Sequence, residues 1–131
     1  MSAELDLARR ALSGGNRVRS HSLRVACWMS RLALERAVTS LLAERGMSAP
    51  RATMRSKLSA LEVAYRDVDP TLAQRAEYAW SRLSNASHYH AFELTPSAAE
   101  VSGLVELVSG LESDANGGMG NRHAKTGPDA A

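Results

Sequence analysis

Apolar residues recur along this chain at steps of three and four, and most runs close on a glycine, a proline or a helix-capping residue. The first, "AELDLARRALSGG", places Leu5, Ala8 and Leu12 on one helical stripe and stops at Gly14-Gly15. After a basic connector, "NRVRSHSLR", the longest pattern predicts a helix from about Ser20 to Arg45, ending at Gly46. Leu23, Ala26, Met29, Ala33, Ala37 and Leu41 share one face of it. Val25, Trp28, Leu32, Leu34, Val38 and Leu42 widen the apolar surface far beyond a single stripe. A helix that apolar is packed on two sides, as the centre of a bundle or as part of a dimer.

A loop, "GMSAP", leads to a third helix over about Ala52 to Val68, with a heptad-like seam of Met54, Leu58, Leu61, Tyr65 and Val68. "DVDP" then marks a start: Asp69 suits a cap and Pro70 the first helical position. The fourth helix, Pro70 to about Ser87, aligns Leu72, Ala76, Ala79, Leu83 and Ala86. "ELTPSAAE" repeats the signal, with Thr95 or Ser97 as cap and Ser97-x-x-Glu100 as a capping box. The fifth helix carries Val101, Leu104, Val105, Val108 and Leu111. The expectation is an all-α fold: an antiparallel four- to five-helix bundle in one domain over 1–112, its core about 20–112. The segment 113–131, with four glycines and one methionine as its sole large apolar residue, is expected to be a disordered C-terminal tail.

Composition agrees with helix. Alanine, leucine and arginine are abundant, β-branched residues are sparse and aromatics make up 5%. Charge adds something new. Residues 1–57 hold eleven basic and four acidic side chains, whereas residues 58–131 hold five and ten. That asymmetry suits either an anion-binding N-terminal face or attraction between the two halves, within a subunit or across a dimer. The single cysteine, Cys27, lies in an apolar helical run and is expected to be a core residue in a reducing compartment. No apolar run is long enough to span a membrane and the N-terminus lacks a signal-peptide core, so a cytoplasmic protein is expected. Fourteen arginines against two lysines suggest a GC-rich bacterial genome. The phosphate-loop, dinucleotide, zinc-ribbon and zincin signatures are absent, and no cofactor is expected.

The chemistry concentrates in "WSRLSNASHYH", Trp80 to His90, where Arg82, Ser84, Asn85, His88, Tyr89 and His90 crowd together at the predicted end of the fourth helix. A histidine near neutral pKa can take a proton from a ribose 2′-hydroxyl or give one to a leaving 5′-oxygen. An arginine fork holds a phosphate and stabilises its transition-state charge. On a straight helix His88 lies about 240° around from Arg82, so the two meet only if the helix breaks or a second subunit supplies the partner. Plainer roles are open as well. Arg82 can pair with Glu77, Glu93 or another acid on a neighbouring helix, and His88 and His90 can cap a helix C-terminus. Trp28, Tyr65, Tyr78 and Trp80 fit core positions better than base-stacking ones. His90 and His88 form a His-x-His pair, but nothing completes a tetrahedral set, so no metal site is expected.

The wide apolar helix "MSRLALERAVTSLLAERG", followed by "AEYAWSRLSNASHYHAFELTPSAAEVSGLVELVSGL", resembles the HEPN domains, small helical bundles of prokaryotic toxins, anti-phage systems and RNA-processing enzymes. Their signature is an arginine followed after four to six residues by histidine, and Arg82 to His88 has five residues between. The resemblance covers about residues 20–112. It implies a homodimer and a metal-independent endoribonuclease, with Arg82 on the scissile phosphate and His88 as general acid/base. Ser84, Asn85, Tyr89 and His90 would be supporting polar groups. The sequence differs from the pattern at Leu83, often polar in active members, and at His90, where the toxin branch has tyrosine. Arg17, Arg19, Arg24 and Arg31 would add phosphate contacts to RNA, and a cognate antitoxin or defence partner protein would be a neighbouring small protein. The alternative is a non-catalytic helical module for dimerisation or partner binding.

Overall fold

The computed structural model describes residues 2–13, 20–49, 51–87 and 97–118, and among them every regular element is a helix. Five α-helices run in chain order: α1 (Ala3–Leu12), α2 (Ser20–Glu44), α3 (Met54–Ala64), α4 (Thr71–Ser87) and α5 (Ala98–Ser113), the last continuing into a short π-helical turn, Asp114–Gly118. They form a helical bundle around α2, which packs against all four other helices.

The double-sided apolar surface of α2 explains that central place. Leu23, Ala26, Cys27, Ala33, Leu34, Ala37, Val38, Leu41 and Leu42 are all buried. Many of these contacts use alanine, which lets helix axes approach closely. Gly46 ends the helix in a left-handed conformation, φ 74°. Its N–H donates to the Ala43 carbonyl and that of Met47 to the Leu42 carbonyl, the paired bonds of a Schellman motif.

Helix α3 is shorter than its apolar pattern predicts. It starts after Thr53, whose hydroxyl accepts from the Ser56 N–H, and its last helical residue is Ala64. The buried Tyr65 hydroxyl donates to the Leu41 carbonyl at 2.7 Å, near the end of α2 where carbonyls lack helical partners. With Tyr65 so fixed, residues 65–68 turn, and Val68 is exposed rather than part of the seam. The turn delivers Asp69, whose carboxylate accepts from the Thr71 N–H and hydroxyl and starts α4.

Cross-links set the direction of α5. Arg82 of α4 pairs with Glu100 and Arg75 with Asp114, so α4 and α5 are antiparallel. Arg9 of α1 pairs with Glu106, and the Ser2 N–H donates to the Glu112 carboxylate, so α1 and α5 are antiparallel too. Arg9–Glu106 joins the basic and acidic halves of the chain within one subunit. The expected tail boundary at 113 moves outward. Asp114 is held by Arg75 and Ala115 is buried, so packing continues past the point where the composition changes. Residues 119–131 lie outside the described part.

Candidate functional site

Helix α4 sorts its side chains by its 100° step. Leu72, Ala76, Ala79 and Leu83 face the core, and Leu83 is 0% exposed. Leu83 is thus a packing residue, which accounts for an apolar side chain immediately after the arginine. Arg82, one step before it, projects at the α4–α5 edge with Tyr78 a turn below it and Asn85 a turn above. Tyr78 is 56% exposed, against the expectation of a core position, and Asn85 is exposed.

Arg82 donates to Glu100 at 2.8 Å, and both side chains are 50% exposed. Glu100 occupies the third position of α5. Ser97 caps that helix by accepting from the Glu100 N–H at 3.1 Å, while the Glu100 carboxylate is turned to Arg82. An ion pair this exposed is worth about 0–1 kcal/mol, so an incoming phosphate can compete for the guanidinium.

Ser84 is placed differently. Two residues from Arg82, it points about 200° away, and its hydroxyl is buried without a partner among the described residues. It therefore does not share a surface with Arg82. His88, Tyr89 and His90 lie outside the described residues, as do Arg17 and Arg19. Of the remaining predicted phosphate contacts, Arg24 is exposed on α2. Arg31 lies over the Trp80 ring, 4.6 Å from its centroid, a cation–π contact that links α2 to α4. Sequence reasoning missed this stack, although Arg31 and Trp80 were each singled out. Trp28, one turn before Arg31, is 58% exposed because the helices around α2 leave that strip uncovered.

Among the described residues no group of three or more His, Cys, Asp or Glu side chains is placed to hold a metal ion. No described helix is long and apolar enough to cross a membrane. Burial raises the Cys27 thiol to about 11, so it is protonated at neutral pH and a poor nucleophile. No family model, curated protein or solved structure matches the chain.

Proposed function

We propose that this chain is a HEPN-like endoribonuclease module acting on RNA phosphodiesters. The observation that supports it is the setting of Arg82: a half-exposed guanidinium, paired among the described residues with a half-exposed carboxylate, six residues before His88 in the Arg-x5-His motif. In this reading the guanidinium takes the scissile phosphate in place of Glu100. The ribose 2′-oxygen attacks phosphorus, the bond to the 5′-oxygen breaks, and His88 moves the proton. The products are a 2′,3′-cyclic phosphate and a 5′-hydroxyl. Asn85, on the Arg82 side of α4, is the supporting donor of choice. A homodimer would bring two such edges together, in a bacterial cytoplasm and in a toxin or anti-phage setting with a cognate partner protein.

A second reading, a non-catalytic partner-binding module, is favoured by the Arg82–Glu100 pair itself, which gives the arginine a structural role. RNA incubated in EDTA with wild type, Arg82→Ala, His88→Ala and Glu100→Gln separates the two. The ribonuclease reading expects cleavage by wild type, loss in the first two and retained or increased cleavage in Glu100→Gln. Equal behaviour of all four folded proteins sinks it.

A further inference from the structure

Helix α2 is covered unevenly along one of its sides. At 100° per residue, His21, Arg24, Val25, Trp28, Leu32 and Glu35 fall within about 100° of one another. His21, Arg24 and Trp28 are exposed, and Val25, Leu32 and Glu35 are half-buried. The next residue on this strip, Thr39, accepts from the Lys57 Nζ of α3 at 3.0 Å, so α3 closes the strip there. Before that point about four turns of α2, roughly 21 Å, are left open. Met29, beside the strip, packs on the core, whereas Val25 and Leu32 are not among the described side chains that do. The largest apolar group on the open stretch is the Trp28 indole, 58% exposed.

Spacing and charge narrow what covers the strip. Val25, Trp28 and Leu32 follow one another at steps of three and four, the a–d–a seam by which one helix receives another. Arg24 and Arg31 immediately precede Val25 and Leu32, at the flanking positions that set which partner a seam accepts. Arg31 is held at that border by its stack on Trp80. On the other border Arg36 is taken up by Glu4 of α1, and Glu35, the one acid on the strip, sits at its closed end. A second copy of this face would bring the same arginines to the same borders, and like charges there oppose the pairing. A single-stranded nucleic acid stacks successive bases on successive rings, and the strip has one ring between two aliphatic side chains. A helix with acidic flanks satisfies both the seam and its arginines.

We propose that this face of α2 is the docking site for an acidic amphipathic helix of a partner protein. The apolar stripe of that helix lies on Val25, Trp28 and Leu32, and its carboxylates meet Arg24 and Arg31. Trp28 is the anchor, as tryptophan and arginine carry much of the energy at protein interfaces. Four turns make a small interface, so an affinity on the order of micromolar is expected. The strip lies beyond Trp80, which points about 200° around α4 from Arg82. It uses neither Arg82 nor His88, so it holds whether or not the chain cleaves RNA.

The test uses the full chain and a dye-labelled three-heptad peptide with leucine at its a and d positions and glutamate at the flanking ones, read by fluorescence anisotropy. The comparisons are the same peptide with lysine for glutamate, a scrambled peptide of equal composition that lacks the stripe, and a single-stranded oligoadenylate. One acidic peptide per chain is expected, with the other three weaker by about tenfold or more. Trp28→Ala should weaken the acidic peptide by about tenfold or more, the scale of an interface anchor. Its melting temperature should be unchanged, because the indole is exposed. Arg24→Glu should shift the preference towards the lysine peptide, and Arg24→Glu/Arg31→Glu should shift it further. No saturable binding at about 1 mM peptide, equal binding of the scrambled peptide, or full affinity in Trp28→Ala overturns the proposal. Oligoadenylate that binds through Trp28 when the peptide does not overturns it in favour of RNA. A dimer in sedimentation that Trp28→Ala dissolves overturns it in favour of a second copy. Every outcome is read from binding rather than cleavage, so this surface and the ribonuclease reading fail separately.

Discussion

The two sides of α4 treat charge in opposite ways. Along its seam with α5, Arg75 and Arg82 are matched to Asp114 and Glu100, and α1 adds Arg9 to Glu106. Along the α3 side, Arg55, Glu62 and Glu77 surround a groove and pair with nothing described. Apolar packing follows the same division. Leu104, Val105, Val108 and Leu111 line up under the α5 seam, whereas Leu58 sits at the bottom of an open groove. One helix thus has a closed side built for cohesion and an open side with charge to spare.

The largest effect that sharpens this contrast is in the core. Leu111→Ala should cost about 2–5 kcal/mol, the usual cost of a large buried residue trimmed in a site that cannot collapse. Leu58→Ala should fall at or below the low end of that range, because the groove above it already admits water. Equal losses in urea denaturation would mean the groove is as closed as the seam.

Cys27 reports next on how closed α2 is. Its thiol is raised from 9.0 to about 11 by desolvation, so at pH 8 its thiolate is about a hundredfold scarcer than in the unfolded chain. Thiol-reagent labelling should therefore be at least that much slower in the native protein than in denaturant. The sign for stability follows from the same shift. The folded state keeps its proton longer, so this contribution is present below about pH 9 and is lost as pH rises towards about 11. A melting temperature that holds level through that alkaline window would contradict it.

The smallest effect lies at the candidate site. A double-mutant cycle on Arg82 and Glu100 should give a coupling below about 1 kcal/mol that fades with added salt. A larger, salt-resistant value would move Arg82 from a phosphate ligand to a structural strut.

The fold was legible because its signals are local. Asp69, Ser97 and Gly46 each announce a helix boundary through their own backbone chemistry, and the structure places a boundary at each. The end of α3 was not legible, because Tyr65 leaves the helix for a hydrogen bond to Leu41, 24 residues away, and periodicity carries no trace of it. The extra packed turn at Asp114 depends in the same way on Arg75, 39 residues earlier. The candidate site was legible only in part. The burial of Leu83 follows from its place on the α4 stripe, but the pairing of Arg82 with Glu100 is a matter of how α5 lies against α4. Exposed Trp28 and Tyr78 were missed because hydropathy marks an aromatic ring as apolar whether or not a neighbour covers it.

The tie between Ser2 and Glu112 has a consequence for the order of events on the ribosome. Helix α1 is the first of the five to be made, yet two of its anchors, Glu106 and Glu112, lie 97 and 110 residues later. While α2, α3 and α4 are still emerging, α1 has only α2 to lean on. Its packing on α2, with Glu4 paired to Arg36, can form early, and its ties to Glu106 and Glu112 close only when α5 arrives.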